Sequence, residues 1–401
     1  MLALARTWNI QVDGSGDAPT IQAGIDSASI GDTVLVGPGF YTGRLNFRGK
    51  NIAVRSSLGP AQTTIDGSGF PGRVVSFVSG EHRGALLEGF TVTGGQGGIA
   101  IMDSEPSIVG NWIMGNHSPE DGGGISCVGD RLVPPSWSPL ITDNKVLNND
   151  AQNLGGGLAF TEDMNPEIID NLISDNETVR GDGGGIYYLN VSAPGTLIRG
   201  NSILNNRAGD HGGGIYAAQI GNGLPAQLEI DSNLVWANYA KGSAPITQNS
   251  GGGIWLTETN AWVHHNTIVG NEGDGPTDTY GGGIVIDYAG SPTVEQNIIA
   301  FSTKGGGLWC GNNASPTIRN NLTWMNTGGD GVGDCATWWQ TNGNIVDNPY
   351  FCDLAAGDFS VASNSGVMTH PAGPLGAFPI PGCGPVSVRI ASWGSLKARY
   401  R

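Results

Sequence analysis

Asp182 and His211 each stand immediately before a run of three glycines, and the two runs begin 29 residues apart, at 183 and 212. If equivalent positions stack, Asp182 and His211 become neighbours, with Asp210 alongside and Tyr280, which precedes a later run, on the same line. A carboxylate beside an imidazole raises its pKa and orients it for general acid–base work. Glu258 and Asp287, at or just past strand ends, could supply a second carboxylate across a groove. Glycoside hydrolysis needs such a pair, about 5–9 Å apart. The structural alternative for all six is a set of solvated loop residues. Aspartates on glycine-rich loops could also hold Ca²⁺ through oxygen ligands, although neither EF-hand spacing nor a nonapeptide calcium repeat occurs. His264-His265 is a pair, but strand alternation sends one inward and one outward, so no joint metal site is expected there.

The elements that would position these residues are repeats. Gly-Gly-Gly followed by Ile or Leu occurs seven times, beginning at 122, 155, 183, 212, 251, 281 and 305. A second motif, Asn-x4-Asn, runs in step as Asn111/Asn116, Asn144/Asn149, Asn171/Asn176, Asn201/Asn206, Asn233/Asn238, Asn266/Asn271 and Asn321/Asn326. Asn tolerates left-handed backbone angles at tight turns. Stacked Asn amides both donate and accept, so they can bond in a ladder. One rung therefore reads as a strand after the glycines, a polar turn, a second strand to the first Asn, a third to the second Asn, and a variable return loop. Three short parallel strands per rung make an all-β, right-handed, single-stranded parallel β-helix.

Stacking converts positions into columns. Ile or Leu after the glycines points inward, and so does the column Cys127, Phe160, Tyr188, Ala217, Leu256, Ile286 and Cys310. The outward column between them is Ser126, Ala159, Tyr187, Tyr216, Trp255, Val285 and Trp309. Tyr187, Tyr216, Trp255 and Trp309 could stack on sugar rings as a platform for an extended polysaccharide, or could pack on one another beneath the loops. The triple glycines would floor the adjoining groove with bare backbone that a ligand can approach.

Composition sets limits. Of 401 residues 67 are glycine, without a Gly-x-y period, and the net charge is −16. So acidic a chain is a poor partner for nucleic acid. No run of about 18 apolar residues suggests a membrane span. Cys127 and Cys310 are expected as buried thiols, with one disulfide among Cys335, Cys352 and Cys383, involving Cys352.

The alternation of Gly-Gly-x-Ile with Ile-x-x-Asn resembles the repeats of polymorphic outer-membrane proteins. The run Thr20-Ile21-Gln22-Ala23-Gly24-Ile25-Asp26-Ser27-Ala28, then Gly31-Asp32-Thr33-Val34-Leu35-Val36-Gly37-Pro38-Gly39-Phe40-Tyr41, resembles the opening of secreted bacterial pectin-lyase-fold proteins. These resemblances imply a lead-in over 1–18, a β-helix over 19–360 opened by a cap helix at about 19–29, and a C-terminal cap with a basic tail over 361–401. They imply a protein that is secreted or at the cell surface; the tail, with three basic groups and no acid in its last ten residues, reads as a sorting or anchoring signal or as a disordered terminus. Two functions stay open: a polysaccharide lyase or glycoside hydrolase working in a groove, or a non-catalytic adhesin or structural solenoid. The chain lacks Asp-Pro-His-Glu, Gly-His-Gly and Arg-Ile-Lys, motifs of epimerases and polygalacturonases with this fold.

Overall fold

A computed structural model describes residues 5–129, 137–162, 164–190, 195–219, 228–242, 250–274, 281–311, 313–337, 342–378 and 380–385. Three long sheets wrap one core: a pre-asparagine sheet of 12 strands, a glycine sheet of 11 and an inter-asparagine sheet of 12. Their pairings are all parallel and keep one register except for a shift between Gly281 and Ile284; for example, Ile108, Ile141, Ile168, Ile198, Ile230, Val263, Val294 and Ile318 form one inward column. Each of these residues is 0–2% exposed. Burying such a side chain is worth about 1.5–3 kcal/mol relative to leaving it in water. No described helix is long and apolar enough to cross a membrane.

The asparagines form the expected ladder. Asn201 Oδ1 accepts from the backbone N–H of Asn171 at 2.9 Å and from its Nδ2 at 3.0 Å, while Asn201 Nδ2 donates to Asn233 Oδ1 at 3.0 Å and to Ile168 O at 2.8 Å. The same arrangement runs from Asn111 to Asn344 and passes through Asn297, which stands outside the Asn-x4-Asn pattern because Ser302 occupies its second position. Every polar atom of these buried amides is thereby satisfied.

Four features depart from the sequence reading. A fourth sheet, of six two-residue strands such as His117–Ser118 and Arg207–Ala208, follows the second Asn of successive rungs. The backbone of the second Asn carries the ladder onward, since Asp150 N–H donates to Asn116 O at 3.0 Å. Next, the middle glycine of each triplet is closed by the chain itself. A Cβ on Gly213 would lie 2.5 Å from the Tyr239 carbonyl and 2.6 Å from Gly252 O. The glycine strip is therefore an inter-rung contact, and the expected ligand floor is absent there. Left-handed backbone falls only on the first glycine, and in five of the seven triplets, at Gly122, Gly155, Gly183, Gly212 and Gly305; at Gly212 φ is 65°.

Third, a strand precedes the cap helix: Thr7–Ile10 pairs with Thr33–Val36, so the solenoid begins inside the expected lead-in. Helix α1 (Ile21–Ser27) then buries Ile21, Gly24 and Ile25 over the open end. Thr20 caps it by accepting from Ala23 N–H at 3.1 Å. Lys50 Nζ closes the other end, donating to the carbonyls of Ile25, Asp26 and Ala28 at 2.7–2.9 Å, where the helix dipole favours a cation. Thr20→Ala is expected to cost about 1 kcal/mol, read as a lower melting temperature for the N-terminal rungs; an unchanged melting curve would show that the cap contributes nothing.

Fourth, the C-terminal segment folds back along the helix. Phe359, Val361, Val367 and Leu375 pack with Val269, Ile298, Ala300 and Leu322 on the outer face of the inter-asparagine sheet. Cys352 is in a disulfide, as expected, and its partner, which the sequence left open, is Cys383; but Cys310 is no free thiol: it pairs with Cys335, the Cα atoms 5.1 Å apart. Cys127 is the buried free thiol, and burial pushes its pKa far above the usual range. The basic tail lies outside the described residues.

Candidate functional site

The glycine sheet and the loops entering it bring the proposed chemistry together. Gly183 N–H donates to His211 O at 2.9 Å and Gly155 N–H to Asp182 O at 3.0 Å, so the residues before the triplets do form a column. One carboxylate oxygen, Asp182 Oδ1, accepts from both the backbone N–H and the Nδ1 of His211, each at 2.9 Å. Asp210 Oδ1 lies 3.4 Å from the same Nδ1. This fixes the ring and leaves Nε2 as the nitrogen for a ligand. Burial pulls the imidazole's pKa down. The Asp182 hydrogen bond and the charges of Asp182, Asp210 and Asp287 outweigh it, so the net shift is upward.

The aromatic column has the expected register, Ser126–Ala159–Tyr187–Tyr216–Trp255–Val285–Trp309. It is not an open platform. Tyr187, Trp255, Val285 and Trp309 are all buried, and Trp255, Val285 and Trp309 form an apolar cluster of their own. Of the two alternatives open for Trp309, it takes the packing one and does not face a glycan. What remains open is a cleft of about 300 Å³ lined by Tyr187, His211, Tyr216, Trp255, Glu258 and Tyr288, among others. Tyr187 and Tyr216 stack in it with centroids 5.1 Å apart and planes 6° from parallel. His211 lies against Trp255, centroids 4.2 Å apart. Burial first, then the charge of Asp182, pushes both phenols far above their usual pKa, so they remain hydrogen-bond donors.

Glu258 is exposed at the rim in a left-handed turn, φ 48°. Asp287 is 2% exposed, opposite Thr257 of the preceding rung, and accepts from Tyr288 N–H at 2.9 Å. Tyr280 lies outside the described residues. Tyr288 was not anticipated; it follows the strand end that holds Asp287, in the turn Tyr288-Ala289-Gly290, beyond the last position that column counting reaches.

Asp182, Asp210 and His211 offer one donor atom each, all within 4.8 Å of one another. Two carboxylates and an imidazole fall short of the six to eight oxygens Ca²⁺ takes, and no cluster of three carboxylates forms among the described residues. The alternation expected at His264-His265 does not hold. His265 takes a left-handed φ of 51° as the turn begins, and the two Nδ1 atoms lie 2.9 Å apart.

A family model described as right handed beta helix region matches residues 59–244 and again 212–367. No curated protein matches the chain.

Proposed function

The chain belongs to the right-handed β-helix family, and on that premise we propose that it binds a polysaccharide in the His211 cleft and hydrolyses a glycosidic bond there. One observation carries the reading: a single cleft joins a stacked tyrosine pair to an aspartate-held histidine, with a further carboxylate, Glu258, on its lining. Aromatic faces suit sugar rings. His211, protonated, gives its Nε2 proton to the glycosidic oxygen as the C–O bond breaks. Glu258 draws a proton from the water that attacks the anomeric carbon.

Among the described residues the cleft lining contains no Lys or Arg, and Asp182, Asp210, Glu258 and Asp287 all bear electrostatically on its His211 or Tyr216. Such a field repels polyuronates, so the substrate class is a neutral glycan and the reaction is hydrolysis rather than uronate elimination. Two disulfides suit an oxidising, extracellular setting, in keeping with a secreted or surface protein. The Tyr187–Tyr216 stack, which can hold a sugar ring without any catalytic group, favours a second reading, a non-catalytic adhesin that binds glycan without cleaving it.

The test is release of reducing ends from neutral and uronate glycans, with a glycan array read in parallel. Product from neutral glycans supports hydrolysis, array binding without product supports the second reading, and neither would end both. Tyr216→Leu should weaken binding by about 1–2 kcal/mol, by analogy with aromatic stacking on planar ligands. Unchanged affinity would take the tyrosine pair out of the site.

A further inference from the structure

A second constellation lies on a different turn of the rung, between the pre-asparagine and inter-asparagine sheets, and does not depend on the reading of the cleft. Asp231 ends the strand Leu228–Asp231 and pairs in register with His264, which ends Trp262–His264. Parallel stacking therefore places a carboxylate and an imidazole side by side. The left-handed His265 then swings its ring back toward them instead of away. His264 Nδ1 lies 2.9 Å from His265 Nδ1 and 3.3 Å from Asp231 Oδ1, and His265 Nδ1 lies 3.8 Å from that oxygen.

We propose that Asp231, His264 and His265 form a binding site for a divalent transition-metal ion of the Zn²⁺ type. Metal–ligand bonds of about 2.0–2.2 Å hold neighbouring ligand atoms roughly 3–3.6 Å apart at angles between 90° and 120°, and the three observed separations fall in or within a few tenths of that range. Two imidazole nitrogens aimed at one space cannot both carry protons without clashing. A cation in that space accepts both lone pairs.

The surroundings hold each ligand as a metal site requires. His264 Nε2 lies 3.1 Å from Glu229 Oε1, the carboxylate–histidine arrangement that fixes a ligand's tautomer. The Trp262 ring stacks on His264, centroids 3.8 Å apart, and is itself anchored by Nε1 donating to Glu295 Oε1 at 2.7 Å. Arg199 Nε donates to Asp231 Oδ2 at 2.7 Å, which turns Oδ1 toward the imidazoles. His264 and Asp231 side chains are 6% and 12% exposed, whereas His265 is 33% exposed, so an ion has a route in and water can take a remaining position.

Titrating the tag-free protein with Zn²⁺ by calorimetry, and with Co²⁺ by visible absorption, tests this. One Zn²⁺ per chain is expected, with a Co²⁺ spectrum of mixed nitrogen and oxygen ligation. His265→Asn keeps a residue suited to the left-handed turn but removes the imidazole, and should weaken binding at least about 100-fold. Glu229→Gln should weaken it about 10–100-fold. His211→Ala should leave it unchanged. Absence of Zn²⁺ binding up to about 100 µM in a protein with an intact circular dichroism spectrum overturns the proposal. So does equal affinity in His265→Asn and wild type, or loss of the ion in His211→Ala, which would place it at Asp182 and Asp210.

Discussion

His211→Ala is expected to slow glycan hydrolysis about 10²–10⁴-fold, the usual worth of a positioned general acid, while KM changes little. The tyrosine stack that would hold the sugar is made by Tyr187 and Tyr216 alone, so binding survives the loss of the imidazole. The pH profile tests the assignment more sharply. The His211 pKa is raised above the ordinary histidine value of about 6.5, against burial, chiefly by the hydrogen bond to Asp182 and then by carboxylate charge. A general acid must be protonated, so activity should hold below that raised pKa and fall as pH climbs through it. The same interaction stabilises the fold fully below the unfolded value, and that stability is lost as pH rises through the folded one. Asp182→Asn removes the charge but keeps an acceptor, so its alkaline limb should move to lower pH. Identical alkaline limbs in the variant and wild type would remove the pair from proton transfer.

Asn206→Ala should destabilise the chain by about 3–6 kcal/mol, because it leaves several buried polar groups without partners at about 1–3 kcal/mol each. The backbone N–H and Nδ2 of Asn176 both lose the oxygen they share at 3.0 and 2.9 Å, and Ile173 O loses its donor at 2.9 Å. Since each rung contacts chiefly its neighbours, the damage should also weaken coupling between the two halves. Urea unfolding followed by circular dichroism should show a lower midpoint and a broadened or split transition. A midpoint within experimental error of wild type would mean that the ladder is ornamental and that the apolar columns alone hold the rungs.

Columns were legible in the sequence because parallel pairing repeats a register from rung to rung, with one shift, between Gly281 and Ile284. Once the triplets were aligned, Ile125 through Leu308, the aromatic line and the Asp182–His211 neighbours all followed, and the pairings agree. What the repeats do not mark could not be read. Thr7–Ile10 has no triple glycine beside it and its Asn9 belongs to no Asn-x4-Asn pair, so the strand before α1 had no repeat signal. Asn297 was hidden by Ser302, although it donates and accepts like its neighbours. Alternation failed at His265 because it holds only while the backbone stays extended. Burial of Trp255 and Trp309 depends on what lies over the sheet, and a register cannot report that. Cys310 sat correctly in the inward column, but its partner is in the turn Asp334–Thr337, after the last strand of the glycine sheet.

The ladder has a consequence for heredity. Asn171 and Asn201 make the same bonds to the rungs on either side of them, so the solenoid does not distinguish one from the other. A duplication or loss that runs from one such asparagine to the next, 30 residues here (171 to 201), rejoins every bond it cuts. A change of other length inside the strands of a rung throws its amides out of step, whereas one in a return loop is absorbed there, as the unequal steps from Asn111 to Asn144, Asn171 and Asn201 show. Genes of this kind are thereby free to gain and lose length in whole counts, and the distance between a cleft and the chain's ends can vary without touching the cleft.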